Sequence, residues 1–236
     1  MRLSLVARRS ETEDVTSFIF RSETPLQWQA GQFLHYSLPH AGADDRGTTR
    51  YFTIASAPFE RHVMLTTRFA TERSSSFKRA LRRLPFGAGV EVGEPDGDFM
   101  VGDPGDKHVF IAGGIGITPF RAMLLDLDHR RLPINVTLLY ANRTPSFVYK
   151  AEMDWLVGRH RGLAIRYLVS PQRVTEASIR AAVANAAEPT FHVSGPEPFV
   201  EAVAEMLAGF DLPDAQVKRD YFPGYDWPWN DRRKTA

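Results

Sequence analysis

The stretch VFIAGGIGITPF, residues 109–120, restricts the possible folds more than any other part of the chain. Four apolar residues run straight into glycines at positions 113, 114 and 116, and Phe120, Met123, Leu124 and Leu127 follow at helical spacing. A strand that turns through glycine directly into a helix opens a strand–helix–strand crossover, and such crossovers build parallel sheets. Glycine also removes side chains where a pyrophosphate would approach the backbone. Thr118 with Pro119 then starts a helix whose free N–H groups favour an anion, so Gly114, Ile115, Gly116, Thr118 and Pro119 are candidate nucleotide contacts. The third glycine of the G-x-G-x-x-G fingerprint is missing, and glycine serves equally where a strand and a helix pack closely, so both readings stand at this point.

The rest of the second half repeats this grammar. Strands are expected at residues 109–112, 136–141, 165–169 and 191–194, with helices at about 119–130, 147–159, 175–187 and 197–209. This predicts a parallel sheet wrapped by helices, with ligands at the carboxyl ends of its strands. The first half reads differently. Residues 3–99 hold short stretches rich in Val, Ile, Thr, Phe and Tyr between Gly, Pro and Asp breaks, among them VTSFIF, QFLHYSL, RYFTIAS, HVMLTTRF and GVEVGEP. An antiparallel β-barrel or sandwich fits. One helix is expected there, SSSFKRALRRL at residues 74–84, with Phe77, Leu81 and Leu84 on one face and serines able to cap its start. The fold class is therefore two-domain, residues 1–102 and residues 103–236, joined near the Gly-Asp-Pro-Gly segment at 102–105.

Composition removes several function classes. The 29 Lys plus Arg against 28 Asp plus Glu leave a net charge of +1, which gives no global field for a polyanion, so no nucleic acid partner is expected. Zero cysteines exclude thiolate metal sites, a catalytic cysteine and a Cys-ligated iron–sulfur cluster within these 236 residues. His35, His40, His129 and His160 lack ligand spacing and read as surface or satisfied histidines, so no metal is expected. No apolar run reaches the length of a membrane span, and the start MRLSLVARRS is too soon charged for a secretory signal, so a cytoplasmic location is the expectation. There is no G-x-S-x-G elbow to support a hydrolase.

Three further segments carry candidate chemistry. RYFTIASAP, residues 50–58, puts Arg50 and Phe52 on one face of an extended segment, where Arg50 could neutralise a phosphate, Phe52 lie on an aromatic ring and Thr53 offer a hydroxyl. The strand ending Tyr140, Ala141, Asn142, Arg143 has arginine where dinucleotide sites that bind a bare ribose place an acid, which suits a 2′-phosphate and tilts the expectation toward NADP. Arg173 is a second candidate for that role. Ser194, Gly195 and Pro196 make a second strand-to-helix turn.

In combination and order, these segments resemble the ferredoxin–NADP reductase family of flavoproteins over nearly the whole chain. Arg50, Tyr51, Phe52 and Thr53 match its R-x-Y-[ST] segment with phenylalanine for tyrosine, and Ser74, Ser75, Ser76 and Phe77 resemble the serine-rich helix start that binds the flavin pyrophosphate. Arg68, ending the preceding strand, is grouped with them as a cofactor contact. EPDGDFMV resembles the G-P-x-G-x-F stretch that closes the flavin domain, AGGIGITPF the pyridine-nucleotide turn and SGPEPF the segment beside the nicotinamide. LLYANRT resembles the strand end at the adenosine ribose, and DYFPGYDW the finish in which an aromatic covers the flavin, with Tyr225 as first choice and Trp227 behind it.

The resemblance implies FAD in the barrel and NADP or NAD in the second domain, with hydride passing between them and no protein nucleophile required. Thr53 and Tyr225 are the residues it places at the reacting rings, Tyr225 as a gate. Electrons would leave to an external acceptor such as ferredoxin or flavodoxin. The pairs Lys78 and Arg82, and Arg79 and Arg83, give the first-half helix a basic face for such a partner, a pattern that a solvated surface helix also shows. The competing reading is a non-enzymatic flavin- or nucleotide-binding subunit that transfers electrons within, or regulates, a larger complex.

Overall fold

Phe18 and Phe20 settle which face of the VTSFIF stretch turns inward: both are fully buried in the first core, while Ile19 between them is half-exposed. Their strand belongs to a set of six, β1 (Arg2–Ser10), β2 (Val15–Ser22), β3 (Phe33–Ser37), β4 (Thr49–Thr53), β5 (Val63–Arg68) and β6 (Gly89–Val92). The computed structural model describes residues 1–69, 74–183 and 188–222. All pairings among the six strands are antiparallel, in the order β4-β3-β6-β1-β2-β5. The end strands also meet. Ala55, just past β4, donates its N–H to the Met64 carbonyl of β5 at 2.8 Å, and Ser56 Oγ accepts from Met64 N at 3.0 Å. The sheet thereby curls into a barrel and leaves few edge groups unpaired.

One helix, α1 (Ser76–Arg83), plugs this barrel with Phe77 and Leu81, both fully buried beside Leu34, Tyr36, Phe52 and Leu65. Ser75 caps it, its Oγ accepting from Lys78 N at 3.3 Å.

The second unit is a five-stranded parallel sheet of β7 (His108–Gly113), β8 (Val136–Asn142), β9 (Leu163–Val169), β10 (Thr190–Pro196) and β11 (Val217–Phe222), in the order β11-β10-β7-β8-β9. Its helices are α2 (Ile117–His129), α3 (Lys150–Arg159), α4 (Glu176–Ala182) and α5 (Glu197–Ala208). All six residues of β7 are buried, as expected of a parallel strand covered on both faces. Ile179 and Ala182 of α4 and Val200, Val203 and Leu207 of α5 pack against Val109, Ile111, Phe191 and Val193, and Phe120 of α2 stacks on Phe110 at 4.6 Å. The chain runs outward through β7, β8 and β9, then returns to place β10 on the other side of β7. The direction of travel thus reverses between β7 and β10, and the crevice at their carboxyl ends is where such sheets take ligands.

Two details depart from the expectations. β11 adds a fifth strand to the four expected, its sequence VKRDYF carrying three charges and no apolar run. Compact grouping also places Arg121–Arg131 with Met1–Val101 rather than with the parallel sheet. Within that first unit Arg121 is 2% exposed, its guanidinium donates to Glu60 at 2.8 and 3.1 Å and to the Ala55 carbonyl at 2.9 Å, and His129 stacks on Phe59 at 4.0 Å.

Candidate cofactor sites

In the first unit the residues singled out from the sequence gather where β4 meets the start of α1. Arg50 is held rigidly: one terminal nitrogen donates to the carbonyls of Arg46, Gly47 and Thr49 at 2.7, 3.1 and 2.6 Å, and the other to Asp44 Oδ1 at 2.7 Å. Its guanidinium lies 5.8 Å from the centre of the Phe77 ring. Asp44 bridges from Arg50 to the helix, since Oδ2 accepts from Ser76 N at 2.9 Å while Asp44 N donates to Ser76 Oγ at 2.9 Å. Burial would push the Asp44 carboxyl up. The hydrogen bonds from Ser76 and the Arg50 charge outweigh that and hold it at about 2.

The donors here are a guanidinium, a helix-start N–H and a hydroxyl, a set suited to an anion and to a phosphate in particular. Two buried nitrogens beside it, Arg50 Nε and His40 Nε2, have no hydrogen-bond partner. His40 meets the Phe77 ring edge-on at 6.5 Å and uses only its Nδ1, 2.7 Å from the Leu38 carbonyl, so the satisfied histidine expected from the sequence is satisfied on one side only. These orphaned groups and the anion-binding donors fit the phosphate of a flavin nucleotide.

The neighbouring residues divide between core and surface. Phe52 is 8% exposed, in the barrel core 5.8 Å from both Tyr36 and Phe77, and Thr53 is buried beyond it. Tyr51 points the opposite way and is 39% exposed, with Phe33 at 5.7 Å and His35 at 5.8 Å. Arg68 is spent on an ion pair with Asp14 at 2.5 Å, its carbonyl accepting from Lys78 Nζ at 2.9 Å, and the Ser74 carbonyl accepts from Arg79.

In the second unit the glycines prove to have distinct jobs. An alanine Cβ at position 116 would stand 2.1 Å from the Ser194 carbonyl oxygen, and one at position 113 would stand 2.7 Å from the Phe199 ring. Those two glycines let β7 and its turn press against β10 and α5. Gly114 is different. It has φ +55°, and a Cβ there would find only Asn142 Oδ1, at 3.9 Å. Ile115, Gly116, Thr118 and Pro119 are all buried, and the Thr118 hydroxyl donates back to the Ile115 carbonyl at 3.1 Å. Of the residues proposed from the turn, Gly114 alone keeps an accessible face.

Beside it, Asn142 orders the loop after β8 by donating to the carbonyls of Thr144 and Ser146 at 3.1 and 2.9 Å. Arg143 is exposed and makes no hydrogen bond or ion pair among the described residues, whereas Arg173, also exposed, is engaged. On the other side of the crevice, Ser194 is fully buried and its hydroxyl donates to Asp220 Oδ2 at 3.1 Å. Asp220 is the functional candidate that sequence reading missed. Protein around its carboxyl pushes it up to about 6, with the Ser194 hydrogen bond opposing. The signal was available in the acidic residue of DYF, but only strand pairing of Ser194 with Asp220 gives it meaning. Tyr225 and Trp227 lie outside the described residues. Among the described residues no group of His, Cys, Asp or Glu could hold a metal ion, and no helix is long and apolar enough to cross a membrane.

Comparison with known proteins adds ancestry to this geometry. The family described as oxidoreductase NAD-binding domain matches residues 110–205. The chain is 29% identical to the stachydrine N-demethylase reductase subunit of Rhizobium meliloti (strain 1021), covering 94% of this chain and 67% of that one. It is 33% identical to phenoxybenzoate dioxygenase subunit beta of Ectopseudomonas oleovorans, covering 85% and 59% respectively. The chain thus spans about three fifths to two thirds of the length of these curated relatives. Ferredoxin–NADP+ reductase from Plasmodium falciparum shares the fold with a TM-score of 0.77 at 14% identity, covering 94% of this chain and 95% of that one.

Proposed function

We propose, from the premise that the chain belongs to the ferredoxin–NADP reductase-like family of oxidoreductases, that it moves a hydride from NAD(P)H to FAD and passes the electrons to an external acceptor. The observation that carries the reading is the pairing of an anion-binding corner in an antiparallel barrel with a glycine turn at the reversal point of a parallel sheet. When bound, FAD supplies the chemistry, accepting two electrons as hydride and releasing them to a partner. Everything asked of the chain is binding, orientation and exclusion of water.

Arg50, Ser75 and Ser76 hold the flavin phosphate in this reading, Thr53 hydrogen-bonds the ring system, and Phe52 and Phe77 back the site from the barrel core. Gly114 with Asn142 receives the dinucleotide, Arg143 takes a 2′-phosphate, and Ser194 with Asp220 sits beside the nicotinamide. Tyr225 and Trp227 keep the role of flavin cover that the resemblance assigns. Because Arg143 is exposed and unengaged, NADPH is the preferred donor. The acceptor is an acidic iron–sulfur or flavin protein of the ferredoxin or flavodoxin kind, docking on the basic face of α1. Two of the relatives are named as parts of a demethylase and a dioxygenase, which supports an oxygenase component as the ultimate consumer of the electrons.

The test is an absorption spectrum of the FAD-loaded protein, followed anaerobically after adding NADPH or NADH. Rapid bleaching of the flavin bands is the expected result, faster with NADPH, with Arg143→Ala removing the difference. A flavin that neither nucleotide bleaches would refute the reductase and favour a non-enzymatic subunit. For the acceptor, Arg79→Glu with Arg83→Glu should slow its reduction at low salt, and an unchanged rate would dismiss α1 as the docking face.

A further inference from the structure

Two of the donors assigned above to a flavin phosphate, the Arg50 guanidinium and the Ser76 N–H, are already committed to one carboxylate of the chain itself. Asp44 takes Arg50 with Oδ1 at 2.7 Å and the first N–H of α1 with Oδ2 at 2.9 Å, and Arg46 approaches Oδ2 at 3.8 Å. A phosphate would place its oxygens on the same partners, because the guanidinium fork and the helix start are what recognise an oxyanion. A second anion cannot share them, since the two like charges would sit within a few ångströms of each other with only one set of donors.

The segment that carries Asp44 is built differently from the barrel around it. Residues 39–48 connect β3 to β4 and are mostly exposed, tied at their base by the Leu38 N–H to the Thr48 carbonyl at 3.0 Å. Asp44 reaches inward from this loop and meets Ser76, 32 residues away in sequence. The arrangement also leaves Arg50 Nε buried and unused, so a ligand with more oxygens than a carboxylate can satisfy more of the guanidinium than Asp44 does.

We propose that Asp44 is a built-in substitute for the flavin phosphate, a latch that must leave Arg50 and Ser76 before FAD can seat. The proposal rests on the reading of this corner as the flavin phosphate site. The latch keeps the cationic corner and the start of α1 satisfied before the cofactor arrives, and it lowers the apparent affinity for FAD by the fraction of molecules in which the loop is closed. Opening is by displacement. The carboxylate is ionised throughout the neutral range, so a change of pH near 7 does not release it.

The experiment measures FAD binding to the apoprotein by quenching of flavin fluorescence, with hydrogen exchange of residues 39–48 followed in parallel. Asp44→Ala should bind FAD about tenfold more tightly than the unaltered chain, and its apoprotein should melt at a lower temperature, a difference that FAD abolishes. In the unaltered chain, saturation with FAD should speed exchange of the 39–48 amides. Asp44→Asn serves as a second variant that keeps the side-chain shape, and it should fall between the other two. Folded variants that bind FAD no more tightly than the unaltered chain, or a loop whose exchange slows on binding, would overturn the latch and leave the flavin site standing. Absence of FAD binding in all three proteins would overturn the flavin reading and the latch together.

Discussion

Replacing Gly116 with alanine would drive a methyl group to 2.1 Å from the Ser194 oxygen, 2.4 Å from its carbonyl carbon and 2.6 Å from Gly195 N. Ordinary contact begins near 3.4 Å, and what stands in the way is backbone, not a side chain that could rotate aside. That backbone belongs to β10, which is paired on one side with β7 and on the other with β11, so it cannot retreat by more than an ångström without loosening both ladders. The cost belongs at the top of the overpacking range, about 3 kcal/mol. For a urea dependence of about 2 kcal/mol per molar, the unfolding midpoint of the parallel-sheet unit should fall by roughly 1.5 M. Gly114→Ala is the control. Its Cβ meets nothing closer than 3.9 Å, so the only cost is the left-handed backbone, about 1 kcal/mol or roughly 0.5 M. Urea titrations followed by circular dichroism, with KM for NAD(P)H measured alongside, separate the two. Gly114→Ala should raise KM because it adds bulk on the accessible side of the turn. An unchanged midpoint in Gly116→Ala, or a raised KM there with none in Gly114→Ala, would refute the division of labour between the two glycines.

Three other outcomes are expected. Arg121→Ala strands Glu60, whose carboxyl burial would raise but Arg121 lowers, and should destabilise the first unit by about 3 kcal/mol in thermal melts. Asp220 titrates at about 6 in the fold against an ordinary 3.8, so its contribution is intact at low pH and lost as pH rises through 6. Asp220→Asn should therefore stabilise by about 2 kcal/mol at pH 8, after allowance for solvent screening, and by little at pH 4. His108 is shifted the other way: burial lowers its pKa, so the unfolded chain takes up the proton first and stability should decline as pH falls below 6.5. Urea midpoints at pH 7 and pH 5 should differ less in His108→Gln than in the unaltered chain.

The parallel sheet was legible because its inner strands are buried on both faces, which makes runs such as VFIA and VTLLYA almost wholly apolar. β11 is not legible, for the converse reason. It lies at the edge, and Lys218, Arg219 and Asp220 break any apolar run. α1 was recognisable from Phe77 and Leu81 one turn apart, and its capping serine was visible beside them. The anion corner was only half legible. Arg50 and the serines belong to recognisable local segments, but nothing in the sequence connects Asp44 with Ser76, because that contact exists only once β4 and α1 have come together. The glycines of residues 113–116 illustrate the same limit. Three identical residues within four positions serve packing in two cases and access in one, and only the neighbours across the turn tell them apart.

The direction of β11 has a practical corollary for handling the protein. Because it runs parallel to β10, with Tyr221 opposite Gly195 and Phe222 opposite Pro196, the chain leaves the described fold at the same rim of the sheet as the Ser-Gly-Pro turn. Phe222 therefore lies at the rim that carries the proposed nicotinamide pocket, while Met1 lies beside Val92, whose carbonyl accepts from the Met1 amino group at 2.9 Å. A fluorescent label or surface tether attached at Tyr221, exposed opposite Gly195, would contend with the coenzyme for space, so the redox chemistry is better measured with that edge of the sheet left bare.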